Sequence, residues 1–288
     1  MERFGQVVFV KDCVLVLNAA EARVQFALAR VPNGFEGDAG GQIELLCAQQ
    51  WSAPSRGTEI LPAALEQAFR LLDLVPASSL GRIACVCGPG SFTGIRLALT
   101  LGAALRRTTG ALLCGVNYLQ VLAASAPLAE EERNGRFVRV VTHARRNLVH
   151  MQDFRQVPSA AKGWPEPLFA PQMVELSRVL DGVPELLATA PVRLVGSGLT
   201  RNADTLVPLL PAGCIGVPGQ TDHPEIQVLL QAALQAPAQS NDLEPLYLRP
   251  CDAVDNLAHI AEGRGQKPEE AEARLDELLE RRPDASTF

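Results

Sequence analysis

The stretch that most constrains this chain runs from Ile83 to Gly94, IACVCGPGSFTG, and continues as IRLALTLGAALRR. Ile83 to Cys87 is an apolar, partly β-branched run of strand length, and Gly88-Pro89-Gly90 prevents its continuation. Gly90 and Gly94 admit backbone angles closed to other residues, while Ser91 or Thr93 can accept a bond from the free amides that open a helix. The chain therefore runs strand, tight glycine turn, helix. Such a turn presents amides and the positive end of a helix dipole, so a phosphate cradle is the first chemistry to test. A Walker loop needs Lys-Ser or Lys-Thr after its last glycine, and here Gly94 is followed by Ile95-Arg96. The dinucleotide fingerprint places two residues between its second and third glycines, and this loop has three. Spacing alone leaves two readings open, an anion site and a turn that packs its helix tightly.

The helix after the loop carries Leu97, Ala98, Leu99, Leu101, Gly102, Ala103, Ala104 and Leu105, with almost no polar face before Arg106-Arg107. Gly94, Ala98 and Gly102 stand four apart on one stripe, where small residues let a second helix approach closely. Internal packing is the plain explanation of that stripe, and a pairing face is the sharper one. Glu59 to Leu72 is a second amphipathic helix, with Ile60, Leu61, Ala64, Leu65, Ala68 and Leu72 on one face.

GPGSFTG-Ile-Arg (Gly88, Pro89, Gly90, Ser91, Phe92, Thr93, Gly94, Ile95, Arg96), the small-residue helix and then Gly115-Val116-Asn117-Tyr118-Leu119 resemble the TsaB (YeaZ-type) family. Upstream, Thr58-Glu59-Ile60-Leu61-Pro62 is similar to that family's Ser-Glu-x-Leu-x-Pro helix start. Downstream lie Ala144-Arg145-Arg146, Leu194-Val195-Gly196-Ser197-Gly198 and Pro245-Leu246-Tyr247-Leu248-Arg249, so the resemblance covers about residues 13 to 250. It implies a non-catalytic subunit of the bacterial machinery that makes threonylcarbamoyladenosine in tRNA. Such a subunit pairs with the transferase TsaD, and the ATPase TsaE engages the pair. A homodimer through the same face is the expectation when TsaD is absent. No cofactor is expected on this chain alone, ATP or ADP having a place only at the partner interface. The pairing face is expected at Ile60, Leu61, Leu65, Phe69, Ile95, Ala98, Leu99 and Gly102 of the two apolar helices.

With 288 residues, 47% of them hydrophobic, the chain can bury one large core or two lobes, and single cores stop growing near ~250 residues. No uninterrupted apolar run reaches membrane-spanning length and no secretory leader opens the sequence, which reads as a cytoplasmic protein with no membrane contact. Seven cysteines without paired CxxC spacing indicate neither a disulfide framework nor a zinc site, and Cys85 and Cys87 read as buried thiols on one strand face. The net charge of −6 is concentrated in the tail. Asp252 to Phe288 holds ten acids against five bases, a net of −5, leaving −1 for residues 1 to 251. Autonomous tRNA binding needs a concentrated basic surface, so tRNA is expected to be reached only through the complex.

Taken in order, the chain reads as strands at 13–17, 23–30 and 42–49, a helix at 59–72, the central strand, loop and helix, a strand at 111–116 and a helix after Asn117. The order recurs with strands near 137–142, 147–154 and 168–174, a helix near 174–180, a strand at 192–195, a helix at 201–210, a strand at 214–217 and a helix at 225–234. This is an α/β architecture of duplicated βββαβαβα, ribonuclease-H-like lobes, the layout of the actin, Hsp70 and sugar-kinase (ASKHA) superfamily. The expected domains are 1–115, 116–250 with its last helix returning to the first lobe, and an acidic tail at 251–288. Within the tail, Pro268 is placed to open a helix running to about Arg282, with Ala271, Leu275, Leu278 and Leu279 as its stripe. The proline-rich stretch Pro158 to Pro171, with Trp164, reads as a surface loop.

An ATP-using member of this superfamily needs a carboxylate at the first hairpin of each lobe to hold magnesium. Where TsaB relatives read Ile-Asp-Thr-Ser this chain has Leu17-Asn18-Ala19-Ala20, and where they read Asp-Ala-Arg it has His143-Ala144-Arg145. An amide and an imidazole cannot supply the charge a hard cation requires, so no metal residues and no catalytic residues are expected. Gly-Ser-Phe-Thr-Gly is not the GxSxG elbow of a hydrolase, and no HxxxH or HExxH gathers the four histidines. Two alternatives stand beside the main reading. One is a nucleotide-dependent kinase or hydrolase with GPGSFTG as its phosphate loop. The other is a structural or regulatory relative that kept the fold without the tRNA role.

Overall fold

A computed structural model describes residues 11–32, 34–35, 43–52, 56–129, 132, 134–157, 164–248, 257–265, 267–271 and 273–274. The chain divides into two compact units, Met1–Leu248 and Arg249–Phe288. The first unit holds two six-stranded sheets.

The first sheet grows from β1 (Cys13–Asn18), β2 (Arg23–Arg30) and β3 (Glu44–Ser52), an antiparallel meander. Its parallel half is β4 (Leu80–Gly88), laid against β1, and β5 (Leu112–Asn117), laid against β4. Helix α1 (Gly57–Leu71), the short α2 (Pro76–Ser79) and α3 (Phe92–Thr109) connect them, and α4 (Tyr118–Ser125) follows β5. Every residue of β1 is buried, as its unbroken apolar sequence CVLVL demands of a strand covered on both faces.

The second sheet repeats the plan. Strand β6 (Arg136–Arg145) pairs antiparallel with β7 (Leu148–Gln156), and β7 pairs with the short β8 (Glu166–Pro167) and β9 (Gln172–Glu175). After α5 (Val183–Leu187) comes β10 (Val192–Val195), parallel to β6. Helices α6 (Ser197–Arg201) and α7 (Ala203–Leu206) lead to β11 (Cys214–Gly216), parallel to β10. The strand order is 3-2-1-4-5 in the first sheet and, counted within the repeat, the same in the second, with β8 and β9 sharing the third place. The duplicated α/β plan expected from the sequence is thus present in both sheets.

Helix α8 (Ile226–Gln235) and β12 (Ala238–Gln239) return to the first sheet, β12 pairing with β5. Alternation along β4 places the helices. The Cys85 thiol donates to the Ala98 carbonyl of α3, whereas Arg82, on the other face, donates to the carbonyls of Ala233 and Ala236 at the end of α8. So α3 and α8 cover opposite faces. Burial pushes the thiol of Cys87 up to about 11, and the six cysteines among the described residues are free.

Three expectations change. The helix placed at 174–180 is the end of β9 followed by a 3₁₀ turn, Leu176–Arg178, because Glu175 is extended in the sheet, and the helix proper starts at Val183 behind Gly182. The helix at 201–210 is broken at Asn202, which leaves helical angles between α6 and α7, and ends in a 3₁₀ turn, Val207–Leu209, where Pro208 cannot continue an α-helix. Of the strand expected at 168–174 only Gln172 to Val174 lies in a strand, as the start of β9, while the short β8 precedes it at Glu166–Pro167. In the second unit, Leu257–Gly263 forms α9 and residues 268–271 and 273–274 are helical, while Leu275, Leu278 and Leu279 of the expected stripe lie outside the described residues. So do 158–163 of the proline-rich stretch, whose Trp164 is half-buried against the first core. No helix among the described residues is long and apolar enough to cross a membrane.

A Cβ on Gly102 would stand 2.4 Å from Cys85 Sγ, so α3 sits as close to β4 as glycine allows. Gly102→Val is expected to lower stability by about 1 to 3 kcal/mol. Ala104→Val, on the exposed side, should stay within about 0.5 kcal/mol. Urea midpoints at constant m-value provide the check.

Candidate functional site

The glycine loop between β4 and α3 is a junction of three segments rather than an open cradle. The Ser91 amide donates to the Ala20 carbonyl at 2.6 Å, and Ser91 Oγ caps α3 by accepting from the Gly94 amide at 3.2 Å. A Cβ at Gly90 would lie 2.0 Å from Ala20 O, and one at Gly94 would lie 1.9 Å from Ala19 O. These glycines exist for the close approach of the β1–β2 turn. Two carbonyl oxygens stand where a phosphate would need donors, which weighs against the loop as a phosphate site. The third segment arrives at Leu246, whose amide donates to Cys87 O at 2.7 Å.

The loop and the Pro245-Leu246-Tyr247 segment are also locked by side chains. Phe92 stacks on Tyr247 with centroids 5.0 Å apart, the Arg96 guanidinium lies 3.8 Å from the Phe92 ring centre, and Arg96 Nε donates to Tyr247 Oη at 2.9 Å. Two sequence segments 151 residues apart thereby become one aromatic–arginine cluster, its arginine exposed and its two rings half-buried.

Asn18, at the end of β1, and His143, near the end of β6, lie at the first hairpin of each lobe. Asn18 is buried, its Oδ1 accepting from the Ala20 amide and its Nδ2 donating to Gln25 Oε1 at 2.7 Å, so it shapes the turn. His143 is half-buried, and burial followed by the charge of Arg201 holds its imidazole below the ordinary value. Among the described residues no group of three His, Cys, Asp or Glu side chains is placed to hold a metal ion.

The first hairpin does carry an acid that the comparison of turns overlooked. Glu21, three residues beyond Asn18, accepts from Ser197 Oγ at 2.6 Å and from Tyr118 Oη at 2.9 Å. Ser197 in turn accepts from the His143 amide at 3.1 Å. The carboxyl therefore ties the first lobe to the Gly196-Ser197-Gly198 turn of the second and to α4. Burial, opposed by those two hydrogen bonds and helped by Asp222, raises it to about 7. The available signal was that Glu21 is the only acid in that turn.

The expected pairing residues face inward. Leu61, Ile95 and Ala98 are fully buried, Leu65, Phe69 and Leu99 nearly so, Gly102 lies against Cys85, and only Ile60 is half-exposed. The correction has a simple cause: an amphipathic helix on a sheet turns its most apolar stripe to its own sheet. The outward face of α1 shows Ala63, Glu66, Gln67 and Arg70. That of α3 shows Arg96, Thr100, Ala104 and Thr108, with Leu97, Leu101 and Leu105 half-buried beside them.

Residues 53–190 match a family model described as TsaD, tRNA N6-adenosine threonylcarbamoyltransferase. No curated protein matches the sequence. Two solved structures from Pseudomonas aeruginosa share the fold. One is an uncharacterized protein with similarity to peptidase YeaZ, 19% identical, covering 83% of this chain and 100% of its own, at a TM-score of 0.62. The other is YeaZ, 18% identical, covering 82% and 100%, at 0.59. The two solved structures share the fold of this chain, and the family match spans the glycine loop and both apolar helices.

With Glu21 protonated in the folded chain up to about pH 7 and ionising near 4.5 when unfolded, stability should fall as pH rises from about 5 to 7 and then level off. The slope is at most about 1.4 kcal/mol per pH unit. Glu21→Gln should flatten that segment of a plot of unfolding free energy against pH, and an unchanged slope would reject the assignment.

Proposed function

We propose that this chain is a non-catalytic, TsaB-like subunit of the tRNA threonylcarbamoyladenosine machinery. It pairs in the cytoplasm with a TsaD-like transferase and supports it, and a TsaE-like ATPase engages the pair. The reading rests above all on the two hairpins: in a TsaB-like framework, Asn18 and His143 present neutral groups where magnesium-assisted phosphoryl transfer needs carboxylates. The nearby acid, Glu21, is engaged by two hydroxyl groups and raised toward neutrality, which suits a structural tie. Any ATP or ADP belongs at the partner interface, and tRNA is reached through the complex.

The pairing face follows from the correction above. A partner meets the outward side of α1 and α3, where small Ala63 and Ala104 are exposed and Leu97, Leu101 and Leu105 retain accessible apolar surface. Small residues permit close helix approach, and the half-buried leucines supply area that water contacts poorly. A homodimer through this face is the arrangement expected in the absence of the partner.

Ala63→Glu combined with Ala104→Glu should weaken association with a TsaD-like subunit by about tenfold or more through desolvation of the new charges. Melting temperature should change little, because both sites are exposed. Co-elution and calorimetry provide the measurement, and undiminished pairing overturns the face. Calorimetry of the isolated chain with ATP and magnesium tests the kinase alternative, which metal-dependent binding would revive.

A further inference from the structure

We propose that the Phe92–Arg96–Tyr247 cluster is a preformed carboxylate seat, which anchors an Asp or Glu side chain of the TsaD-like partner at the glycine-loop end of the α1–α3 face. The proposal rests on the pairing reading above and adds the chemistry of recognition. Helix α3 carries Arg96, Arg106 and Arg107 and no acid. The last two are engaged, Arg106 donating to the carbonyls of Ser240 and Asn241 and Arg107 pairing with Asp242 at 2.6 Å. Arg96 is exposed, and among the described residues no carboxylate pairs with it. Its hydrogen bond there runs from Nε to Tyr247 Oη, which leaves the two terminal nitrogens open as a fork.

What separates this arginine from an ordinary solvated one is that its geometry is fixed before anything binds. The guanidinium lies 3.8 Å from the Phe92 ring centre, Phe92 is stacked at 5.0 Å on Tyr247, and the bond to Tyr247 Oη sets the rotation of the guanidinium plane. An exposed arginine ordinarily loses its rotamer freedom on binding, whereas here folding has already taken it. The ligand follows from the donors that remain. Two parallel N–H groups match the two oxygens of a carboxylate, and the Tyr247 hydroxyl, which accepts from Nε, keeps its own proton to donate beside them. One guanidinium balances one carboxylate charge, while a phosphate dianion calls for a second cation that the cluster does not hold. Arg96 also heads the outward stripe of Thr100, Ala104 and Thr108, with half-buried Leu97 and Leu101 beside it. That apolar surface keeps water from the ion pair once a partner lies over it.

Calorimetry of the full chain with a TsaD-like subunit from the same organism provides the test. Arg96→Ala should weaken pairing by about tenfold or more, and Arg96→Lys should not restore it, since an ammonium keeps the charge but has no fork. Tyr247→Phe, which keeps the stack and releases Nε, should weaken pairing severalfold and gives a second readout if Arg96→Ala loses its fold. Added salt should weaken the wild-type pair more than the Arg96→Ala pair. A staple for the 245–247 segment alone would show as a lower melting temperature with pairing intact, and that result overturns the proposal. So does full rescue by Arg96→Lys, or self-association that Arg96→Ala abolishes while pairing survives, which makes a second copy of the chain the occupant. Undiminished pairing in Arg96→Ala, with Ala63→Glu and Ala104→Glu together still disrupting it, removes the seat and leaves the face standing. Pairing that neither change affects, or no pairing at all, removes both.

Discussion

The structure of the first unit depends on one close approach, that of the β1–β2 turn to the loop entering α3. Gly90 and Gly94 leave no room for a side chain because the carbonyls of Ala20 and Ala19 occupy the space, and the Ser91 amide closes the contact. This contact fixes where α3 starts over the sheet. Gly102 then lets the same helix rest on Cys85. A larger residue at any of these places would lift the helix from β4 and open a void along its buried stripe.

That approach also decides what the loop does. The sequence pattern of strand, glycines and helix is shared with phosphate-binding loops, yet here the amide that would greet an anion is taken by a backbone carbonyl. The loop's outward side carries instead the stack of Phe92, Arg96 and Tyr247, joining the start of α3 to the chain segment after β12. The lobes meet through the uncharged contacts of Ser197, Tyr118 and a carboxyl raised toward neutrality.

Much of this was legible because it is local. The apolar run of β1, the alternation in β2, the glycine stop after Cys87 and the periodicity of α1 and α3 each act over a few residues, and the second lobe repeats the same order. The failures have physical causes too. Val174 to Leu180 has a helical pattern, but pairing with β7 draws its first residues into the sheet. Pro208 interrupts the apolar period that suggested one long helix. The two-residue β12 is too short to leave a pattern at all.

By itself the sequence determined the order of the long strands and helices, the sharp strand-to-helix turn and the absence of a carboxylate at Asn18 and His143, since these follow from backbone freedom, side-chain period and residue chemistry at single positions. Only the tertiary structure decided which stripe of α1 and α3 faces inward, because an apolar stripe fits its own sheet and a partner equally well until the sheet is in place. It alone brought Glu21 to Ser197 across 176 residues and Arg201 to the hairpin of Arg145 and Arg146. Such contacts are set by how the two sheets and their connecting helices pack, and no local preference of the chain encodes them.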